Sequence, residues 1–173
     1  MRAPKRNAAL AATLAALLWP AGGAEAQVRA PVTAFTAFNN DCLEVVTSEI
    51  SGARTETRVA AFVLTHSRIV SSLQRAHRRG VSVRVKYDAE QAKNEQMLDA
   101  IKSLKKSGIE CTPIAKGERG FMHHKFIVID RCKTITGSFN YTVGAATVND
   151  ENLVVLDSPR IAADYLREFD RLK

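Results

Sequence analysis

Residues 121–142 read FMHHKFIVIDRCKTITGSFNYT, an apolar run into which two histidines, a lysine and an aspartate are set. A histidine in such a place has three common uses: metal ligand, catalytic group, or core residue with satisfied nitrogens. On a strand, residues two apart share a face, so His123 and Lys125 point one way and His124 the other. Asp130 lies just past the apolar residues, and six positions later come Gly137, Ser138 and Asn140, the last two again sharing a parity. The spacing is His-x-Lys-x4-Asp-x6-Gly-Ser-x-Asn. Adjacent strand residues diverge and no third ligand falls at usable spacing, which argues against a metal at His123–His124. A lone core histidine does not explain why Lys125, Ser138 and Asn140 arrive in register with it.

This pattern resembles the HKD motif of the phospholipase D superfamily. The order of strands and helices, the apparent export leader and the size are similar to the small bacterial exported endonucleases of that superfamily, over about residues 28–173. Glu151-Asn152, followed by apolar 153–156, matches the acidic residue that trails the motif in those nucleases. The resemblance implies a histidine that attacks phosphorus, a phosphohistidine hydrolysed by water, and a catalytic set of His123, Lys125, Asp130, Ser138, Asn140 and Glu151.

The residue types suit that chemistry in their own right. Phosphodiester cleavage needs a nucleophile, a proton donor for the leaving alkoxide, and positive charge or donors around the equatorial oxygens. Neutral His123 attacks if an acceptor, expected to be Glu151, fixes its tautomer. Lys125 offers a point charge, Ser138 and Asn140 neutral donors, and Gly137 close approach of the backbone to substrate. Asp130 is expected to act as structural support. The mechanism wants two histidines, yet HxK occurs once. Single-motif members of the family pair two chains at a two-fold axis, so the expectation is a homodimer with both His123 side chains in one site. His66 or His77 as an intrachain substitute is the alternative, although His77 reads as a solvated residue in a basic helix end.

The chain has 173 residues, a formal charge of +7 and a pI near 9.6, which suits one domain with a polyanionic partner. Residues 1–26 read as a cleaved secretory leader: Arg2, Lys5 and Arg6, then an apolar run too short to span a bilayer, then Ala24-Glu25-Ala26. A periplasmic or secreted protein without a retained anchor follows. Cys42, Cys111 and Cys132 show no metal spacing, and no cofactor is called for. Lys116 and Arg119, just before the motif, are the leading candidates for substrate phosphates. Arg75, Arg78 and Arg79, and Lys102, Lys105 and Lys106, form weaker basic clusters. Phe121 and Tyr141 either stack on bases or belong to the core.

Alternating strand and helix patterns from residue 32 to the end predict an α/β fold with a largely parallel central sheet. They include strands at 57–64, 81–87 and 122–129, and helices at 67–79 and 94–107. The expected activity is metal-independent cleavage of DNA or RNA. The alternatives are a phospholipid or cardiolipin hydrolase, a transferase in which an alcohol replaces water, and an inactive nucleic-acid-binding dimer.

Overall fold

The computed structural model describes residues 32–117 and 120–173, so the expected leader and Arg119 lie outside the described residues. Period-two runs form seven strands: β1 (Thr33–Phe38), β2 (Glu56–Ala61), β3 (Ser82–Asp88), β4 (Glu110–Ile114), β5 (Lys125–Ile129), β6 (Lys133–Gly137) and β7 (Asn152–Asp157). Between and after them lie α1 (Asp41–Gly52), α2 (Ser67–Arg78), α3 (Glu95–Lys106), the short α4 (Val143–Thr147) and α5 (Pro159–Arg171).

The helices follow from apolar spacing of three and four. Ile69, Val70, Leu73 and Ala76 of α2 are buried, as are Met97, Ala100, Ile101 and Leu104 of α3. Asn94 caps α3 through its side chain, and Gly80, at φ 93°, takes the left-handed turn that stops α2. Odd-numbered residues of β5 (Ile127, Ile129) join the large core beneath α1–α3. Even-numbered Phe126 and Val128 pack on the other face with Ala162, Leu166 and Phe169 of α5. The central strands are thus buried between α1–α3 on one face and α5 on the other, while β1 at the edge stays largely exposed.

The sheet order is β1-β7-β6-β5-β2-β3-β4. The fold is α/β, but the largely parallel sheet expected from the sequence is corrected: only β2–β3 and β3–β4 are parallel, and the other four pairings are antiparallel. The physical reason lies in the second half of the chain. A parallel return needs about a dozen residues, and β5 passes to β6 through Asp130, Arg131 and Cys132 alone. Asp130 (φ 50°) and Arg131 (φ 57°) are both left-handed, and Cys132 N–H closes the turn on Ile129 O at 3.1 Å, the geometry of a type I′ hairpin. The β5 strand is also shorter than expected. It begins at Lys125, because the Met122 amide donates to the Asp88 side chain and not to a neighbouring strand.

Asp130 stabilises this hairpin. Its carboxylate accepts from the amides of Arg54 (2.9 Å), Thr55 (2.8 Å) and Glu56 (3.0 Å) and from the Thr55 hydroxyl (2.8 Å), tying the turn to the start of β2. Partial burial works against ionisation. The amides of Glu56, Thr55 and Arg54 and the Thr55 hydroxyl outweigh it and hold the carboxyl below its usual range. Gly137 is required at the far end of β6. A Cβ there would lie 2.2 Å from the Asn152 carbonyl oxygen of β7, so the backbone it admits is that of β7.

Two substitutions test these constraints. Gly137→Ala should lower stability by about 2 kcal/mol or more, read from urea denaturation, because backbone atoms must separate. Asp130→Asn should cost about 1–3 kcal/mol at neutral pH. A depressed carboxylate contributes fully above its unfolded value near 3.9 and loses that contribution as pH falls through the folded value. The gap between wild type and Asp130→Asn should therefore narrow as urea titrations are taken below about pH 4.

Candidate active site

One edge of the sheet collects one end of each of the seven strands. β1, β2, β3, β4 and β6 run toward it, and β5 and β7 start from it. His123 lies two residues before β5 and Glu151 immediately before β7, while Ser138 follows β6, Phe62 follows β2 and Asp88 ends β3. The amino ends of α1, α2 and α3 open toward this edge, where their partial positive charge favours an anion.

His123 is exposed and sits against Lys125, whose Nζ lies 3.3 Å from Nε2 and 3.4 Å from Nδ1 and donates to the His123 carbonyl at 3.0 Å. Phe62 walls the pair: its ring centre is 4.4 Å from the imidazole and 4.9 Å from Lys125 Nζ. Desolvation and the Lys125 charge hold the His123 imidazole below its ordinary pKa, partly opposed by Asp88. The neutral ring that nucleophilic attack requires is therefore the favoured form. Desolvation likewise lowers the Lys125 ammonium, and Glu151 counters it.

The other expected residues are placed unevenly. Glu151, 7% exposed, does not hold His123. Its carboxylate accepts from the Ser138 hydroxyl and from Asn149 Nδ2 (3.1 Å), and among the described residues it makes no hydrogen bond to His123. The cause is topological, since β6 lies between β5 and β7 and Ser138 at its end is the nearer donor. Ser138 is thereby engaged with Glu151, and it also accepts from the Asn152 amide at 3.0 Å. The hydroxyl expected to meet a phosphate thus donates to Glu151 in this structure. Asn140 lies on the segment held to the end of β2 by Tyr141 N–H donating to Val63 O at 3.1 Å. Its buried Oδ1 has no partner among the described residues. Asp130 is at the opposite end of β5, roughly 16 Å along the strand from Lys125 by strand rise, and takes no part in this edge. Gly137 closes β6 against Leu153 of β7.

Lys116 is exposed beyond β4. Arg79 is committed to the carbonyls of Ile50, Ser51 and Ala53 at the end of α1, and Arg75 donates to Ser72. Tyr141 is buried in the core and Phe121 is 57% exposed beside Phe62, 5.8 Å between ring centres. His124 turns away from Lys125 and pairs with Glu168 of α5 at 2.9 Å. Hydrogen bonds from Arg171 and then His124 hold the Glu168 carboxyl down at about 2. His66 is buried and caps α2 by accepting from the Arg68 amide. His77, read as solvated, is half-buried against Gly108 with Nδ1 unpartnered among the described residues. All three cysteines are free, and the described residues hold no His/Cys/Asp/Glu cluster fit for a metal.

Three participants escaped the sequence reading. Phe62 lies within an apolar run, Val59–Leu64, and nothing local distinguishes it from core. Asn39, at φ 50°, receives the Glu151 amide on its Oδ1 at 2.9 Å, a contact across 112 positions. Asp88 left a trace: it is an acid placed directly after the alternating strand VSVRVKY.

Residues 46–173 match the family model described as cardiolipin synthase, PLD-like domain. Among curated relatives, phospholipase D of Rickettsia prowazekii is 32% identical over 132 residues, 74% of this chain and 60% of that protein. The mitochondrial cardiolipin hydrolase of Chlamydomonas reinhardtii is 34% identical over 122 residues, 70% of this chain and 53% of that protein. The chain thus spans little more than half the length of these relatives. Among solved structures, Nuc of Salmonella typhimurium, a phospholipase D family member, superposes with a TM-score of 0.77 at 28% identity, covering 81% of this chain and 93% of that one. NucT of Helicobacter pylori gives a TM-score of 0.72 at 22% identity over 82% and 96% of the two chains, a likeness of fold. With the His-x-Lys motif at the sheet edge and the matched model spanning most of its length, the chain belongs to the phospholipase D superfamily.

Proposed function

We propose that this chain is a metal-independent phosphodiesterase that cleaves DNA or RNA through a phosphohistidine on His123, in a site completed by a second copy. The observation that carries the reading is the exposed His123 imidazole against the Lys125 ammonium 3.3 Å away, its pKa lowered by desolvation and by that charge. In the first step a His123 nitrogen bonds to phosphorus and the P–O bond to the leaving group breaks. The imidazolium of the partner's His123 gives the leaving alkoxide its proton. In the second step that imidazole takes a proton from water, the water oxygen bonds to phosphorus, the N–P bond breaks, and a phosphate monoester leaves. Lys125 and the Asn140 amide N–H would meet the equatorial oxygens.

Nucleic acid as substrate is supported by the +5 charge that residues 27–173 keep and by the near-complete coverage of Nuc. The exposed Phe121 beside Phe62 and the exposed Lys116 suit a base and a phosphate flanking the cleavage point. Export to the periplasm or medium belongs to the same reading, resting on residues 1–26. The described residues contain no helix long and apolar enough to cross a membrane. A lipid phosphodiester is the second reading, favoured by the names of the relatives, phospholipase D and cardiolipin hydrolase.

The test is cleavage of plasmid DNA, single-stranded RNA and cardiolipin vesicles in excess EDTA, by wild type and His123→Ala. The expected result is nucleic-acid cleavage that persists in EDTA and falls by at least about 10³-fold in the variant. Hydrolysis of vesicles alone transfers the assignment to lipid, and loss of all activity in EDTA overturns the mechanism.

A further inference from the structure

Asp88 is 1% exposed and, among the described residues, has no cationic partner. A buried carboxylate without a counter-charge persists only if hydrogen bonds replace its water, and here the donors are all backbone. Oδ1 accepts from the amides of Glu90 (3.1 Å) and Gln91 (3.0 Å), and Oδ2 from the amide of Met122 (2.7 Å). One side chain therefore joins the turn after β3 to the segment just before β5, across 34 positions.

That segment carries the nucleophile. Residues 121–124 belong to no strand, so no ladder fixes them. Two backbone amides anchor them on either side of His123: that of Met122, donating to Asp88, and that of Phe62, donating to the His124 carbonyl at 2.8 Å, while Lys125 Nζ donates to the His123 carbonyl between them. Met122 is itself 1% exposed and packs with Ile114 and Phe126, so its backbone and side chain are both set. His123 is the next residue, its Cα about 3.8 Å further on.

We propose that Asp88 is a positioning residue for His123, clamping the backbone that aims the imidazole at phosphorus and placing a fixed negative charge behind it. The proposal rests on the reading of His123 as nucleophile. The charged or titratable groups that act on this imidazole are Lys125 from β5, Asp88 from β3 and neighbouring His124; Phe62 from β2 is neutral. Asp88 is the one among them that favours the protonated ring. Removing its charge should move the imidazole's titration to lower pH, an effect that a purely structural clamp would not produce.

The experiment compares the full chain with Asp88→Asn and, as control, Glu90→Gln, which alters an exposed acid paired with Lys93. An asparagine cannot accept from all three amides, so Asp88→Asn should lower kcat by at least about tenfold with KM changed less than about threefold. In NMR titrations the His123 midpoint should fall in Asp88→Asn and stay put in Glu90→Gln. A folded Asp88→Asn with wild-type kcat, or with an unmoved or raised midpoint, overturns the proposal. Should that variant fail to fold, hydrogen exchange of the wild type decides. The Met122 amide should exchange at least about 100-fold more slowly than those of Phe121 and His123, as expected for a hydrogen-bonded buried amide, and equal rates overturn the clamp. Titration and exchange need no substrate, so failure to cleave nucleic acid would count against the proposed function and leave this inference standing.

Discussion

β5 runs antiparallel to both its neighbours, β2 and β6, and the site depends on that seating. Were β5 parallel to β2, the residues that precede it would lie at the far edge, beside Asp130's partners and away from every other polar group of the motif. Running antiparallel, β5 begins where β2, β3 and β6 end. His123 then meets Phe62, and the backbone beside it meets Asp88. The type I′ turn at Asp130 and Arg131 makes this direction possible, and Asp130's four donors hold that turn to β2. The motif's aspartate thus holds, from the other end of the strand, the register of β5 against β2.

At the near edge, charges are arranged in a graded way. Desolvation and the adjacent Lys125 charge lower the His123 pKa, while desolvation also lowers that of Lys125 and the Glu151 charge partly offsets it. Glu151 in turn is fixed by Ser138, Asn149 and the Asn39 turn, contributed from three separate segments. The positive ends of α1–α3 add a field that attracts an anion without supplying a proton. Such a surface has donors and charge for a phosphate before any substrate is present, which is the form of preorganisation that stabilises charge developing in a transition state.

Much of this was legible in the sequence because strand parity is a local property. His123 and Lys125 on one face and His124 on the other follow from the alternation that also buries Phe126 and Val128 against α5. The α/β class followed from helices whose apolar residues recur at three and four. Direction was not legible: IVIDRCKTIT shows two strands and a polar break, but left-handed Asp130 and Arg131 lack the glycine that usually announces such a hairpin. Long-range polar partners were equally hidden. That Glu151 would satisfy Ser138 and not His123 depends on β6 lying between β5 and β7, a fact of sheet order. Asp88 and Asn39 act through single contacts across 34 and 112 positions, which no spacing rule encodes.

The central claim is covalent chemistry at His123, and trapping the adduct tests it most directly. A single turnover with an oligonucleotide in EDTA, quenched in alkali to preserve the N–P bond and read by peptide mass spectrometry, should show the substrate's phosphoryl group, still esterified to one cleavage fragment, on the peptide containing His123. The adduct should rise and decay at rates compatible with turnover. Cleavage at the normal rate with that peptide unmodified, or with the phosphoryl group on another residue, would contradict the account.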